Sequence, residues 1–405
     1  MLNSTAKPLL LVFPFGYLSH YLRCIVLCRY LRPFFEIKFC FHAGYQTFVE
    51  REGFNSFRCV GMDEAGVLSN VREFDFSWLN ERSLEGTFQS QVSVINAYRP
   101  LAVLGDAVPS LKMAAEYAGV KFISLMNGYM SRYYACSRSL PTSHPAYPYL
   151  SGFPNFIKDF LTATGEAFAF RKIHRPFESI RHRYKLGLVR NFLEEMAGDY
   201  NLVCDLPELF PQRWLPAGYG VIGPLIYEGL NEAGDVSERL LSDRKTIVVS
   251  MGSTGDWDRV AFLNDRYFDR YNIIAAGDSN GVLSASHIQR VGFISAKEVL
   301  SRADLVICHG GNGTIYQALA YGVPLLCVPV HFEQEWNVAG LEKMGLGRAM
   351  GGTVDGGLIE EWVDRKKLAV YVQVRDAIER SVLQISQKIR EMLYQLFPAS
   401  TVISA

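Results

Sequence analysis

The chain has 405 residues, enough for two or three domains of ordinary size, each with its own buried core. Lys plus Arg total 41 against 41 Asp plus Glu, so net charge points to no polyanionic partner, and 49% hydrophobic with 20% charged residues is the balance of a soluble globular protein. The eight cysteines (24, 28, 40, 59, 136, 204, 308 and 327) lie singly in apolar runs without a CxxC pair, and no apolar run reaches membrane-spanning length. This argues against a disulfide scaffold, a zinc site and a transmembrane protein, and for buried, reduced thiols in a cytoplasmic one without a signal peptide.

Residues 8–14 (PLLLVFP) predict a first strand, and 15–19 a loop. Helical spacing of Leu22, Ile25, Val26, Arg29 and Tyr30 predicts a helix over 20–31, with a second strand at 35–41. Such a βαβ opening builds a parallel sheet whose ligands bind at the carboxyl ends of the strands. His20 falls at that end, at the start of the helix, where it also fits a polar capping residue. Residues 101–104 predict another strand, Gly105-Asp106 a turn, 110–118 a helix and 121–126 a strand. Asp106 therefore also falls at a strand end, where an aspartate equally fits a helix cap.

Residues 129–190 differ in character, being rich in Tyr, Phe, Pro and basic side chains. Aromatic walls suit an apolar ligand, and a basic surface studded with aromatics suits an anionic membrane. A solvated basic helix over an ordinary aromatic core fits equally well. No nucleic-acid-binding module is recognisable. Strands are predicted at 202–206 and 221–225, and the polar, Gly-containing stretch 228–242 is read as a linker.

The second half opens with a predicted strand at 246–250 that runs into Gly252-Ser253, a turn able to offer backbone N–H groups and a hydroxyl to a phosphate. Further strands are predicted at 273–276, 291–294 and 305–308. The last is followed at once by His309-Gly310-Gly311-Asn312-Gly313-Thr314. Glycines let backbone N–H groups approach a ligand, and a helix beginning at Thr314 favours an anion at its N-terminus. A second apolar strand and a polar cluster, Glu333-Gln334-Glu335-Trp336-Asn337, come next. An amphipathic helix over 378–396 closes the chain.

The stretch 304–347 resembles the donor-binding signature of family 1 glycosyltransferases, enzymes of GT-B fold that use nucleotide-diphosphate sugars. Ala318, Leu319, Gly322, Pro324, Pro329, Glu333, Gln334 and Asn337 keep that register. The lipid-sugar transferases of peptidoglycan synthesis are more distantly similar. The resemblance implies two Rossmann-like α/β domains facing across a cleft: an acceptor domain (1–227), the linker (228–242), a nucleotide-sugar domain (243–377) and a final helical segment (378–405) crossing back to the first domain.

It further implies roles. His20 would be the general base and Asp106 its partner, although Arg23 stands where many relatives have proline. Gly252, Ser253, His309, Gly311, Asn312, Gly313 and Thr314 would hold the diphosphate. Phe293 would stack on the base, or be ordinary core. Gln317 stands where many relatives have a ribose-binding Glu, and Glu333 with Gln334 would hold sugar hydroxyls. The expected reaction is metal-independent, inverting transfer of a glucose-like or N-acetylglucosamine unit, with a UDP-sugar as co-substrate, no cofactor, and dTDP as the open alternative. The acceptor would be a hydroxylated apolar or lipid-like molecule, with peripheral membrane contact through 129–190. A nucleotide-sugar epimerase or hydrolase of the same fold, or a non-catalytic nucleotide-binding partner of another transferase, are the rival readings.

Overall fold

The central strands of this protein are short apolar runs buried on both faces, the pattern of parallel sheets covered by helices. Leu10, Leu11 and Val12 are fully buried, as are Leu305 and Ile307. The computed structural model describes residues 7–142, 144–229, 240–292, 295–351 and 356–398. The chain divides into two compact units: Met1–Leu140, Pro148–Leu225 and Ser381–Ala405 in the first, Pro141–Tyr147 and Ile226–Arg380 in the second. The boundary at Leu225 falls beside the predicted linker, of which 230–239 lie outside the described residues.

The first unit carries β1 (Leu9–Pro14), β2 (Glu36–Cys40), β3 (Asn55–Phe57), β4 (Ala102–Asp106), β5 (Lys121–Met126), β6 (Tyr200–Val203) and β7 (Tyr219–Val221). They form one seven-stranded sheet, ordered β3-β2-β1-β4-β5-β6-β7, with every pairing parallel. The second unit has β8 (Thr246–Ser250), β9 (Asn272–Ala276), β10 (Ile288–Val291), β11 (Leu305–Cys308), β12 (Leu325–Cys327) and β13 (Gly347–Ala349). Its six-stranded sheet is likewise parallel, ordered β10-β9-β8-β11-β12-β13. These are two parallel-sheet α/β domains, as the donor-signature resemblance implies.

Both sheets reverse their winding at one place, between β1 and β4 in the first and between β8 and β11 in the second. Open α/β sheets bind ligands outside the carboxyl ends of the strands at such a point. Register brings Pro14 opposite Asp106 in one sheet and Ser250 opposite Cys308 in the other. The closing helix, Ala369–Leu396, starts nine residues before its predicted position at 378. Its later part belongs to the first unit, where Ile385, Ile389, Met392 and Leu393 are buried and Ser381 Oγ donates to the Ile222 carbonyl at 3.2 Å.

Four strands differ from the sequence reading: Gly105 and Asp106, read as a turn, are paired on both sides as the last residues of β4. β6 ends at Val203 rather than 206, β7 covers Tyr219–Val221 rather than 221–225, and β10 ends at Val291, where a strand had been expected to begin. For β6 and β7 the buried apolar run extends past the ladder, so burial alone misplaces the strand end; of the run predicted at 291–294, Phe293 and Ile294 lie outside the described residues.

Candidate active site

In the first unit, β1 delivers a loop from Phe15 to Tyr17 and the helix Leu18–Leu31, with His20 in its first turn. β4 ends at Asp106, and Ala107 follows with φ 58°, a left-handed conformation that a non-glycine residue adopts at some cost. The turn aims the aspartate across the sheet end. His20 Nδ1 lies 2.8 Å from Asp106 Oδ1, with the carboxylate fully buried and the imidazole 15% exposed. Neither residue caps a helix. Tyr17 and Ser110 hold the N-cap positions of the helices Leu18–Leu31 and Leu111–Ala118, without side-chain caps. With the Nδ1 proton aimed at Asp106, Nε2 is the nitrogen left to accept a proton.

Arg23 joins this pair from the same helix. Its Nε and Nη2 donate to the two oxygens of Asp106, and its Nη1 donates to Asn127 Oδ1 at the end of β5. Burial alone would push the Asp106 carboxyl up, but the Arg23 guanidinium and then His20 hold it below the usual range.

In the second unit the switch point carries two glycine turns around one histidine. His309 follows β11 and is 7% exposed. Gly252 has φ +56°, and a Cβ on it would stand 2.6 Å from His309 Cε1. A Cβ on Gly311 would run into Nε2 of the same ring, and one on Gly255 would come within 2.9 Å of His309 Cβ. The glycines thus make room for the imidazole as well as for close backbone approach. Burial lowers the His309 pKa to about 4, so the ring is neutral at physiological pH. The helix Asn312–Ala320 then opens with Gly311 at its N-cap, which brings no side chain to cover the N–H groups of the turn Asn312-Gly313-Thr314. Gly252, Ser253 and Gly313 are exposed beside it.

Residues 259–353, within this unit, match the family described as glycosyltransferase family 28 C-terminal domain. The chain is 26% identical over 344 residues to a PGL/p-HBAD biosynthesis glycosyltransferase of Mycobacterium tuberculosis (strain ATCC 25177 / H37Ra), covering 82% of this chain and 77% of that one. It is 25% identical over 339 residues to a PGL/p-HBAD biosynthesis rhamnosyltransferase of Mycobacterium bovis (strain BCG / Pasteur 1173P2), covering 82% and 74%. Among solved structures, spinosyn forosaminyltransferase SpnP superposes with a TM-score of 0.65 at 15% identity, covering 96% of this chain and all of that one. Glycosyltransferase VinC in complex with dTDP gives 0.65 at 14% identity, covering 96% and 100%. The protein is a GT-B glycosyltransferase. The family match names family 28 where the donor signature resembles family 1, and the coarser assignment is what the two have in common.

The structure places three of the other residues assigned to the donor. Gln334 is 2% exposed, and both ends of its amide are engaged: Oε1 accepts from Val330 N at 2.8 Å and Nε2 donates to Thr254 Oγ1 at 3.1 Å. It ties the loop after β12 to the turn after β8. Gln317 Nε2 donates to the Tyr227 carbonyl at 2.6 Å. Glu333 lies half-buried in the first turn of the helix Phe332–Met344. Phe293 lies outside the described residues.

Sequence reasoning placed Asn337 and Glu335 in the polar cluster without giving either a contact: Asn337 Nδ2 donates to the Gly310 carbonyl at 3.0 Å, and the Glu335 carboxylate accepts from Thr142 Oγ1 at 2.8 Å. Arg23 was noted in sequence only for standing where relatives have proline, and Asn127 not at all; neither was read as a member of the first site. An arginine on the apolar face of a helix was the available signal, because a buried guanidinium needs an anion.

Proposed function

We propose that this glycosyltransferase moves a hexosyl unit with inversion from a nucleoside-diphosphate sugar to a hydroxyl of an apolar or lipid-like acceptor, with His20 as general base and Asp106 as its partner. One observation carries the reading: a 2.8 Å His–carboxylate contact at the switch point of a parallel sheet. Nε2 takes the acceptor's proton, and the oxygen bonds to the anomeric carbon. The bond from that carbon to the diphosphate breaks, and the nucleoside diphosphate leaves with the electron pair. Asp106 fixes the tautomer and steadies the imidazolium.

The donor belongs to the second unit. The open turn Asn312-Gly313-Thr314, Gly252 and Ser253 suit the diphosphate through N–H and hydroxyl donors, with neutral His309 packed behind them. Glu333 suits vicinal sugar hydroxyls. UDP is the nucleotide expected from the donor signature. Gln317, with its amide on the Tyr227 carbonyl, and the dTDP named in a similar structure keep dTDP beside it.

The acceptor reading rests on the helix Asn155–Arg183, which exposes Phe160 (70%) and Phe168 (68%), two turns apart on one face. It fits relatives named for PGL/p-HBAD biosynthesis and rhamnosyl transfer. The test pairs wild type with His20→Ala on a panel of UDP- and dTDP-sugars, with product mass analysis. Donor binding should persist while transfer falls to background. Unchanged turnover would sink the mechanism, and release of free nucleotide without a glycosylated product would favour epimerase or hydrolase chemistry.

A further inference from the structure

Arg23 stands one helical turn after His20 and is only 9% exposed. A guanidinium keeps its proton in a protein, so burying it obliges the fold to supply acceptors. Here the acceptors are the dyad itself. The fork of Nε and Nη2 spans both oxygens of Asp106, Nη1 is anchored on Asn127, and Nη2 stands 3.1 Å from His20 Nδ1. Asn127 is fixed in turn by donating to the Tyr129 hydroxyl. The carboxylate that would serve His20 is already spanned by a full positive charge.

The electrostatic consequence is specific. A buried carboxylate beside an imidazole draws a proton onto the ring, and a protonated imidazole is no base. A bidentate Arg–Asp pair is neutral as a unit, and this one also sets positive charge beside the ring. We propose that Arg23 is a positioning residue for the transfer step: it locks the Asp106 carboxylate in the orientation that receives the Nδ1 proton and cancels its charge, leaving Nε2 of His20 free to take the acceptor's proton. The proposal rests on the reading of His20 as the base. It assigns Asp106 mainly to orientation and tautomer.

The other charged or titratable groups around the pair do not replace Arg23. Cys24, on the same helix, and Cys204, after β6, face Asp106 and Arg23, and burial raises both thiols, Cys204 to about 12. Tyr21 is likewise raised by burial and donates to the Cys40 carbonyl. Tyr17 donates to the Glu64 carbonyl, and the Glu64 carboxylate is engaged by His42 at 2.8 Å. Among the described residues, Arg23 is the cation within hydrogen-bond distance of both His20 and Asp106.

The experiment is the pH profile of kcat/KM for the full chain with a UDP- or dTDP-sugar donor. Arg23→Gln removes the charge, and its acid limb should move to higher pH by about one unit, which is roughly a tenfold loss of rate on the acid side. Arg23→Lys keeps a charge without the fork. It should hold the limb near its wild-type position while kcat falls several-fold. If Arg23→Gln does not fold, Asn127→Leu releases only the Nη1 anchor and should give a smaller shift in the same direction. A purely structural role would lower the rate equally at all pH values. A limb unmoved in the folded variants, with His20→Ala inactive, overturns the Arg23 proposal and leaves the base in place. Turnover that survives in His20→Ala overturns the underlying reading instead.

Discussion

The imidazole of His309 fills the space that a side chain at Gly252 would need: a Cβ there would stand 2.6 Å from its Cε1. The turns at Gly252 and Gly311 and the ring between them form one packed unit, and a change in any part should be felt at the neighbouring helix N-terminus. Gly311→Ala is the sharper probe, because φ −72° suits any residue and the whole cost is steric. Overpacking of this kind costs about 1–3 kcal/mol. We expect that loss of stability together with at least tenfold weaker donor binding, read by thermal unfolding and calorimetric titration of the nucleotide. An unchanged dissociation constant would separate these turns from the donor.

His309 also gives the second unit a pH dependence. Its folded pKa, about 4, lies below the ordinary value of 6.5 because the charged form is desolvated. Between those values the unfolded chain binds a proton that the folded one refuses, so stability falls as pH drops from about 6.5 to 4 and is restored as pH rises. The full effect is roughly 3 kcal/mol. His309→Asn should be less stable at neutral pH and show a shallower decline in midpoint between pH 7 and 4.5. Equal slopes in the two proteins would place the ring in a more solvated environment.

Asp106→Asn separates two roles of one carboxylate. The amide can neither fix the His20 tautomer nor balance Arg23. The first loss should lower kcat by about 10²–10⁴, the range for a disabled acid–base step, with donor affinity unchanged. The second leaves a buried guanidinium unpaired, at a cost of about 3–5 kcal/mol. Kinetics at a temperature where the variant remains folded distinguish the two. Full activity in a destabilised variant would reduce Asp106 to a structural ion-pair partner.

How much of this was legible in sequence depended on range. Strand-then-turn patterns placed His20, Asp106, Gly252 and His309 at strand ends, because short apolar runs bounded by glycine read clearly. β3 and β13 escaped, being three-residue strands at sheet edges. Arg23 read as a departure from a family pattern and nothing more, since its acceptor Asp106 lies 83 residues away. Gln334 and Gln317 resembled donor contacts in sequence, which does not reveal the hydrogen bonds their amides make within the protein. A solvated basic helix was one reading of 129–190, yet Arg138 pairs with Glu166, Arg181 with Glu195 and Glu116, and Arg183 with Glu81 and Glu85. Most of those partners lie outside the run.

What remains of that run after its ion pairs is a directional surface. On the helix Asn155–Arg183, Phe160 and Phe168 are exposed two turns apart, and the exposed Arg171, Lys172 and Arg175 continue the same face toward the C-terminus. No described helix is long and apolar enough to cross a membrane. An apolar patch followed by three cations suits the interface of an anionic bilayer, with the rings in the headgroup boundary and each cation contributing about 1 kcal/mol near the surface. Phe160→Ser with Phe168→Ser should lower co-sedimentation with vesicles containing anionic phospholipid by at least tenfold, without changing thermal stability, because both rings are already in water. Replacing Arg171, Lys172 and Arg175 with Gln should remove the dependence on anionic lipid and on salt. If the wild-type protein binds neutral and anionic vesicles equally, or neither, the face is no membrane contact, and apolar acceptors must reach the enzyme from solution.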